Sequence, residues 1–423
     1  MSITIFVPRE SGADEPRVAA SPDSVKKLTG LGCSVLVERG AGEMSRISDE
    51  EYDKAGAKIA AASDIRKADV VLCVRRPDSR LSQIKKGAAI LAIMDPFEAD
   101  KELAAMAKAG VSAFAMELMP RITRAQVMDV LSSQANLAGY QAVIDAAHLY
   151  DRALPMMMTA AGTVPAAKAF VMGAGVAGLQ AIATARRLGA AVTATDVRAA
   201  AGEQVQSLGA KFIMTDALKD ASGEGGYARE LTAEERKAQS ELVASHIAKQ
   251  DIVITTALIP GRPAPKLVTT AMIESMRPGA VIIDLAVERG GNVEGAKPDE
   301  VVTIGGVRVA GYLNMPGKIA ASASLLYAKN LLAFLETMID KEAGKLSIDR
   351  DDELVKATLL THDGAIVHDR FGGSAPAKTV PSAKKASARK TPAKKTPAAK
   401  KAAAGAKKPD AGDATVKSED KGA

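Results

Sequence analysis

The residues Gly173-Ala174-Gly175-Val176-Ala177-Gly178 set three glycines at the spacing GxGxxG, and an aspartate, Asp196, follows 21 residues after Gly175. Such glycines suit a main chain that must approach phosphate. Gly173 allows a tight turn, Gly175 a close approach to a pyrophosphate, and Gly178 close packing of a helix on a strand. The apolar run at 169–172 enters the motif as a strand. The pattern from about 176 to 188 leaves it as a helix, with Gly189 as its C-cap. The start of such a helix turns free N–H groups and the positive end of its dipole toward an anion. A second strand, AVTATD (191–196), ends in the acid. Its carboxylate suits ribose hydroxyls and repels a 2′-phosphate. The chemistry indicated is binding of a dinucleotide, with NAD favoured over NADP. Val197 and Arg198 follow on the adenosine side, and an arginine so close to the acid can soften that discrimination.

These residues need a sheet to carry them. ITIFV (3–7), CSVLVER (33–39), DVVLCV (69–74), AAILAIM (88–94) and VSAFAMEL (111–118) read as strands, spaced by amphipathic stretches. Ser21-Pro22 and Glu50 mark two helix starts. Strands that are apolar throughout and alternate with helices form a parallel sheet covered on both faces. Over 124–150, Val127, Val130, Leu131, Leu137, Val143 and Ile144 recur at helical spacing and predict one long helix. Ala138 and Gly139 in its middle permit close packing. The segment ALPMMMTAAGTVPAA (153–167) reads as a loop. A second series of strands runs through KFIMTD (211–216), DIVITTA (251–257) and AVIIDLA (280–286), and another long helix is expected over 319–338. The expected fold class is α/β, with two Rossmann-like domains built on parallel sheets. The first domain is discontinuous, 1–135 and 318–372, with the NAD-binding domain, 136–317, inserted in it.

Composition bounds the function. Nearly half of the 423 residues are apolar and none is Trp, so the core must be aliphatic. No apolar run approaches the roughly 18–20 residues that cross a bilayer. The start, MSITIFVPRE, lacks the pattern of a secretory signal. The chain therefore reads as cytoplasmic, and work at a membrane would need a partner. Cys33 and Cys73 lie in apolar, β-rich runs and read as small buried hydrophobes rather than a disulfide framework. The four histidines have no ligand spacing, so no metal is expected. The segment 373–423 holds 13 basic and 4 acidic residues, a net of +9 against +6 for the whole chain. The remainder is thus mildly acidic, and the basic character belongs to a Lys/Ala/Pro-rich tail with too little apolar surface to fold.

The segment MELMPRITRAQVMDVLSSQANLAGYQAVIDAA, followed by FVMGAGVAGLQAIATARRLGAAVTATDVR, resembles the NAD(H)-binding domain I of proton-translocating NAD(P) transhydrogenase, in the alanine dehydrogenase/transhydrogenase family. The resemblance runs from about 3 to 373. It takes in EPRVAASPDSVKKL, GGYARELTAEERKAQ (225–239), TTALIPGRPAPKLV and MRPGAVIIDLAVERGGN. It implies an Arg–Gln–Asp loop at Arg121, Gln126 and Asp129, with Ser132 beyond, that serves catalysis and cofactor binding. The residue types fit. A carboxamide such as Gln126 donates to one nucleotide while accepting from another, and Arg121 and Asp129 are opposite charges across a turn. Residue type alone equally allows solvated charges at a helix start. The resemblance further implies a mobile loop at Gly225, Gly226 and Tyr227 that closes over nucleotide, where the alternative is a surface insertion. It sets Gln239, Ala257 and Leu258 near the adenine or ribose.

Alanine dehydrogenase shares this fold, and Arg17 stands where that enzyme has its substrate-carboxylate arginine. Two positions depart: Arg75 replaces its substrate-binding lysine and Asp95 its catalytic histidine. Oxidation of an amine or hydroxyl needs a group to take a proton, and an arginine is effectively always protonated. Hydride transfer between two nicotinamides needs only aligned rings and excluded water. The resemblance therefore implies Re/Si-specific transhydrogenation, NADH + NADP⁺ ⇌ NAD⁺ + NADPH, coupled to proton movement. NAD(H) would be bound by this chain and NADP(H) by a partner subunit. The chain would be a homodimer docked on transhydrogenase membrane subunits, including the NADP(H)-binding beta subunit, at the inner face of the cell membrane. The alternatives are an alanine-dehydrogenase-like oxidoreductase and a non-catalytic NAD-sensing module. The tail suits anionic lipid or nucleic acid through counterion release, or a solvated linker.

Overall fold

Apolar runs too continuous for a half-exposed sheet become central strands. The chain builds β1 (Thr4–Val7), α1 (Pro22–Gly30), β2 (Ser34–Glu38), α2 (Asp49–Lys54), β3 (Lys58–Ala60), β4 (Val70–Arg75), β5 (Ala89–Ile93), α3 (Asp100–Ala109) and β6 (Ser112–Ala115). Ser21 caps α1 by accepting from the Ser24 amide, with Pro22 in the first turn, as its sequence indicates. The first five residues of β4 are buried, and every residue of β6 is. The computed structural model describes residues 2–12, 14–215, 229, 231–259 and 261–372.

From β6 the chain enters α4 (Val130–Leu149), the hairpin β7 (Met157–Thr159) and β8 (Gly162–Val164), and then β9 (Lys168–Met172), α5 (Val176–Arg187), β10 (Ala191–Thr195), α6 (Ala201–Ser207) and β11 (Lys211–Phe212). After α7 (Ala233–Ile247) come β12 (Ile252–Thr255), α8 (Thr270–Glu274), β13 (Val281–Asp284), β14 (Val301–Ile304) and β15 (Val307–Ala310). The long helix α9 (Ala320–Glu336) leads into β16 (Ile339–Asp340), β17 (Lys345–Leu346), α10 (Glu353–Thr358), β18 (Leu359–His362) and β19 (Ala365–Ile366).

Two large sheets result. One runs β19-β18-β6-β5-β4-β1-β2-β3, the other β11-β10-β9-β12-β13-β15-β14. Both are parallel apart from β18 and β19 in the first and the β14–β15 pair in the second. The first sheet is closed by strands that follow the second in the chain, so the α/β fold is of the inserted, Rossmann-like kind. In each sheet the strand order reverses beside its first strand, between β1 and β4 and between β9 and β12. Ligands of open α/β sheets sit at such switch points, beyond the carboxyl ends of the strands.

α4 ties the two sheets together. Its first residue, Val130, lies in the core of the first sheet with Ala125, Met128, Tyr327 and Phe334. Its later residues Ala142, Val143 and Ala146 lie in the core of the second. Midway, Gly139 meets α5 so closely that a Cβ there would stand 2.0 Å from the Ala177 carbonyl oxygen. The Asn136 amide also donates to the Gln180 side chain of α5 at 3.2 Å.

Three elements differ from the sequence expectation. The helix does not begin near Arg124. Residues Thr123–Met128 form a separate 3-10 turn, and Asp129, extended at ψ 95°, breaks the run and caps α4. Val127 is consequently 63% exposed despite its helical spacing. The stretch 153–167 holds the hairpin β7–β8, with Met156, Met157 and Met158 facing solvent. The strand at Lys211 has only two residues within the sheet. Both cysteines are free and buried, as their apolar surroundings indicate.

The Gly139 contact leaves no room for a side chain. Gly139→Ala should lower stability by about 2 kcal/mol or more, since the α4–α5 backbones must part. The midpoint of urea unfolding measures this, and an unchanged midpoint would show that the two helices are not in fixed contact.

Candidate functional site

β9 runs straight into the glycine motif. Gly173 has φ 101°, a conformation only glycine adopts easily. A Cβ on Gly178 would lie 1.8 Å from the Gly173 carbonyl oxygen, so helix and turn touch main chain to main chain. At Gly175 nothing lies within 4 Å of the Cβ position. The main chain there stands open, as pyrophosphate binding requires. Gly175 is also the N-cap of the 12-residue α5, with no side-chain cap and no acidic residue in the first turn. Its leading amides and dipole are thus directed at whatever occupies the turn. Gly175 and Val176 are exposed, and the three glycines meet the three requirements of their motif.

Asp196 stands directly after β10 and is buried. Its Oδ2 accepts from the Ala174 amide at 2.7 Å, which fixes the glycine turn to the neighbouring strand. The Arg198 side chain donates from Nε to Oδ1 and from Nη2 to Oδ2, both at 2.9 Å, and the Arg198 amide donates to Oδ1. Burial opposes the charge. The Arg198 guanidinium and the two amides outweigh it and hold the carboxyl below the usual aspartate range. Val197 between them is half-buried.

Across the switch point, β12 ends at Thr255. The Thr256 hydroxyl donates to the Gly173 carbonyl at 3.1 Å. Ala257 is held at both main-chain groups by the fully buried Asn292, whose Oδ1 accepts from its amide and whose Nδ2 donates to its carbonyl. Leu258 beyond it is exposed. Asp284, at the end of β13, accepts from the Thr255 hydroxyl and from the Ala286 and Val293 amides, although burial pushes its carboxyl up. Asn292 and Asp284 have no role in the motif, and their only sequence signals are an acid ending an apolar strand and the Gly290-Gly291-Asn292 turn. Gln239 is half-buried on α7. Gly225, Gly226 and Tyr227 lie outside the described residues.

The Gln126 segment is anchored from below. Ala125 and Met128 are buried pegs, while Arg121, Gln126 and Val127 are exposed. The Asn330 side chain of α9 donates to the Val127 carbonyl at 2.8 Å and accepts from the Ser133 hydroxyl at 2.7 Å. Arg124 grips Asp352 in a two-pronged pair, at 2.6 and 3.0 Å. Asp129 accepts from the Ser132 amide and hydroxyl, so both residues belong to the start of α4. Arg124, Asn330 and Asp352 are positioning residues that only tertiary contacts reveal. The glycine turn and the Gln126 segment thus share one frame, because α4 carries the second and packs on the helix that begins at the first.

A second polar cluster lies at the carboxyl ends of β1 and β4. Arg17 is 2% exposed and engaged throughout: Nε and Nη2 donate to Glu15, each at 2.6 Å, and Nη1 to Gln134 of α4 at 2.8 Å. Arg75 donates to the same Glu15 at 3.1 Å. Asp95, at φ 48°, has its amide donating to Glu117 and its carboxylate paired with Arg289 of the second-sheet region. Every charged group here therefore holds another. Glu10 borders this cluster, its carboxylate accepting from the Val74 and Arg75 amides. Burial pushes its carboxyl from 4.5 up to about 7, against the pull of those amides.

The raised pKa makes Glu10 favour folding only while protonated. Its contribution is complete below about pH 4.5 and lost as pH rises through about 7. Glu10→Gln should therefore be more stable than the parent chain by about 1–2 kcal/mol at pH 8, a shift discounted for its partial exposure. At pH 4.5 the difference should vanish. Thermal melts at the two pH values test this, and an equal gap at both would contradict it.

Residues 6–138 match the family model described as alanine dehydrogenase/PNT, N-terminal domain, and residues 142–369 the one described as alanine dehydrogenase/PNT, C-terminal domain. The chain is 53% identical over 379 residues to an NAD(P) transhydrogenase alpha subunit of Rhodospirillum rubrum, covering 87% of this chain and 99% of that one. It is 28% identical over 385 residues to alanine dehydrogenase 1 of Staphylococcus aureus, covering 88% and 96%. The crystal structure of transhydrogenase from Sinorhizobium meliloti superposes with a TM-score of 0.77 at 62% identity, covering 87% of this chain and all of that one.

Proposed function

The chain belongs to the alanine dehydrogenase/PNT family, and from that premise we propose that it is the NAD(H)-binding subunit of a proton-translocating NAD(P) transhydrogenase. The observation that carries the reading is the shared frame: a glycine turn fit for pyrophosphate and an exposed Gln126 segment, both held by α4. The higher identity to a transhydrogenase subunit than to an alanine dehydrogenase supports the same choice.

In this reading Gly173, Gly175, Val176 and Gly178 cradle the pyrophosphate at the start of α5. Asp196, Val197 and Arg198 face the adenosine ribose, with Ala257, Leu258 and Gln239 beside it and Gly226 and Tyr227 closing over it. Arg121, Gln126, Asp129 and Ser132 serve the nicotinamide side. The bound nicotinamide supplies a hydride at C4. The protein aligns the ring and keeps water out, and no side chain has to accept a proton. That requirement suits a cluster in which Arg17, Arg75 and Asp95 are already paired.

The acceptor, NADP⁺, would be held by the NADP(H)-binding beta subunit, with Gln126 bridging the two nucleotides. Transfer would be Re/Si-specific and coupled to proton translocation in membrane subunits. Among the described residues no helix is long and apolar enough to cross a membrane, so those partners would hold this chain at the inner face of the cell membrane. We further assign residues 1–135 with 318–372 to the first domain, 136–317 to the NAD-binding domain, and a homodimer as the working form.

Gln126→Asn shortens the bridge by one methylene. It should slow hydride transfer about 10- to 100-fold while leaving NADH affinity within about threefold. Single-turnover transfer and a fluorescence titration with NADH separate the two. Unchanged transfer would show that Gln126 does not set the ring geometry.

A further inference from the structure

A carboxylate has about four lone-pair positions, and protein donors fill four at Asp196. Oδ1 receives the Arg198 amide and Nε, and Oδ2 the Ala174 amide and Arg198 Nη2. Two of these donors are main chain and belong to the turn itself. The other two belong to one side chain, whose guanidinium is 23% exposed against 7% for the carboxylate it covers. A ribose 2′,3′-diol is also a two-pronged donor, and it needs one bond to each oxygen. Diol and guanidinium therefore contend for the same two positions.

We propose that Arg198 is a specificity-determining competitor at the nucleotide site: its side chain must leave Asp196 before the adenosine ribose can take its place. This rests on the reading of the site as an NAD site. The pair weakens binding of a nucleotide with a free diol, because a charge-assisted, partly buried contact is exchanged rather than gained. A 2′-phosphate is treated differently. It cannot donate to Asp196, and the guanidinium beside it offsets the repulsion between the two anions. Arg198 thus narrows the discrimination between NADH and NADPH that Asp196 alone would impose.

The test is calorimetric titration of the full chain and of Arg198→Met and Arg198→Lys with NADH, NADPH, AMP and nicotinamide mononucleotide. Arg198→Met keeps the aliphatic stem and removes the donors. It should bind NADH and AMP about tenfold more tightly, leave nicotinamide mononucleotide unchanged, and bind NADPH no better than the parent chain. Arg198→Lys, with a charge but no fork, should lie between. Weaker NADH binding by Arg198→Met would overturn the proposal by making Arg198 a ligand. Equal shifts for NADH and NADPH would overturn it by showing an effect that does not pass through Asp196. If neither parent nor variant binds NADH, the assignment of the site falls with it, whereas normal binding by the parent with no tightening in the variant removes the competitor alone.

Discussion

The contact between Gly139 and the Ala177 carbonyl is the constraint on which the rest of the site depends. A helix rooted in one hydrophobic core crosses to another, and at its midpoint it touches the helix that starts at the glycine turn without an intervening side chain. Packed interiors transmit displacement because they have few voids to absorb it. The Gln126 segment, pinned by Ala125, Met128, Asn330 and Arg124 to the first core, is thereby held in register with the phosphate turn of the second sheet. Two nucleotides that exchange hydride need such a fixed relation, because the protein contributes geometry rather than a reacting group.

The same logic explains the charges. In a dehydrogenase, a buried arginine, a lysine and a histidine would face substrate. Here Arg17 is occupied by Glu15 and Gln134, Arg75 by Glu15, and Asp95 by Arg289. A buried charge is tolerable when it is paired and hydrogen-bonded, and these pairs satisfy each other. Gln134 lies on α4, so the cluster also braces the helix that carries Gln126. Residues that could have done proton chemistry are turned to holding a frame.

Much of this was legible in the chain because it is local. The glycine spacing, the strand before it, the helix after it and Asp196 all lie within one βαβ unit, and each keeps its expected place. Gly139 was legible as a small residue suited to close packing, but not its partner. The break at Asp129 was not, since Val127, Val130 and Leu131 keep helical spacing straight through it and only a side-chain cap interrupts the run. The hairpin with Met156–158 was hidden by apolar residues that face solvent. Asn292, Asn330 and Asp352 act on residues 35 to 228 positions away. No periodicity records such distances.

The central claim is that this NAD(H) site is one half of an active site completed by another chain. The most direct measurement uses NADH carrying deuterium at the transferred C4 position, mixed with this chain, NADP⁺ and the NADP(H)-binding membrane subunits. The account predicts that deuterium appears in NADPH, that none is lost to water, and that no transfer occurs when either protein is left out. Oxidation of NADH by this chain alone with an amino-acid or 2-oxo-acid couple, or loss of the label to solvent, would contradict it.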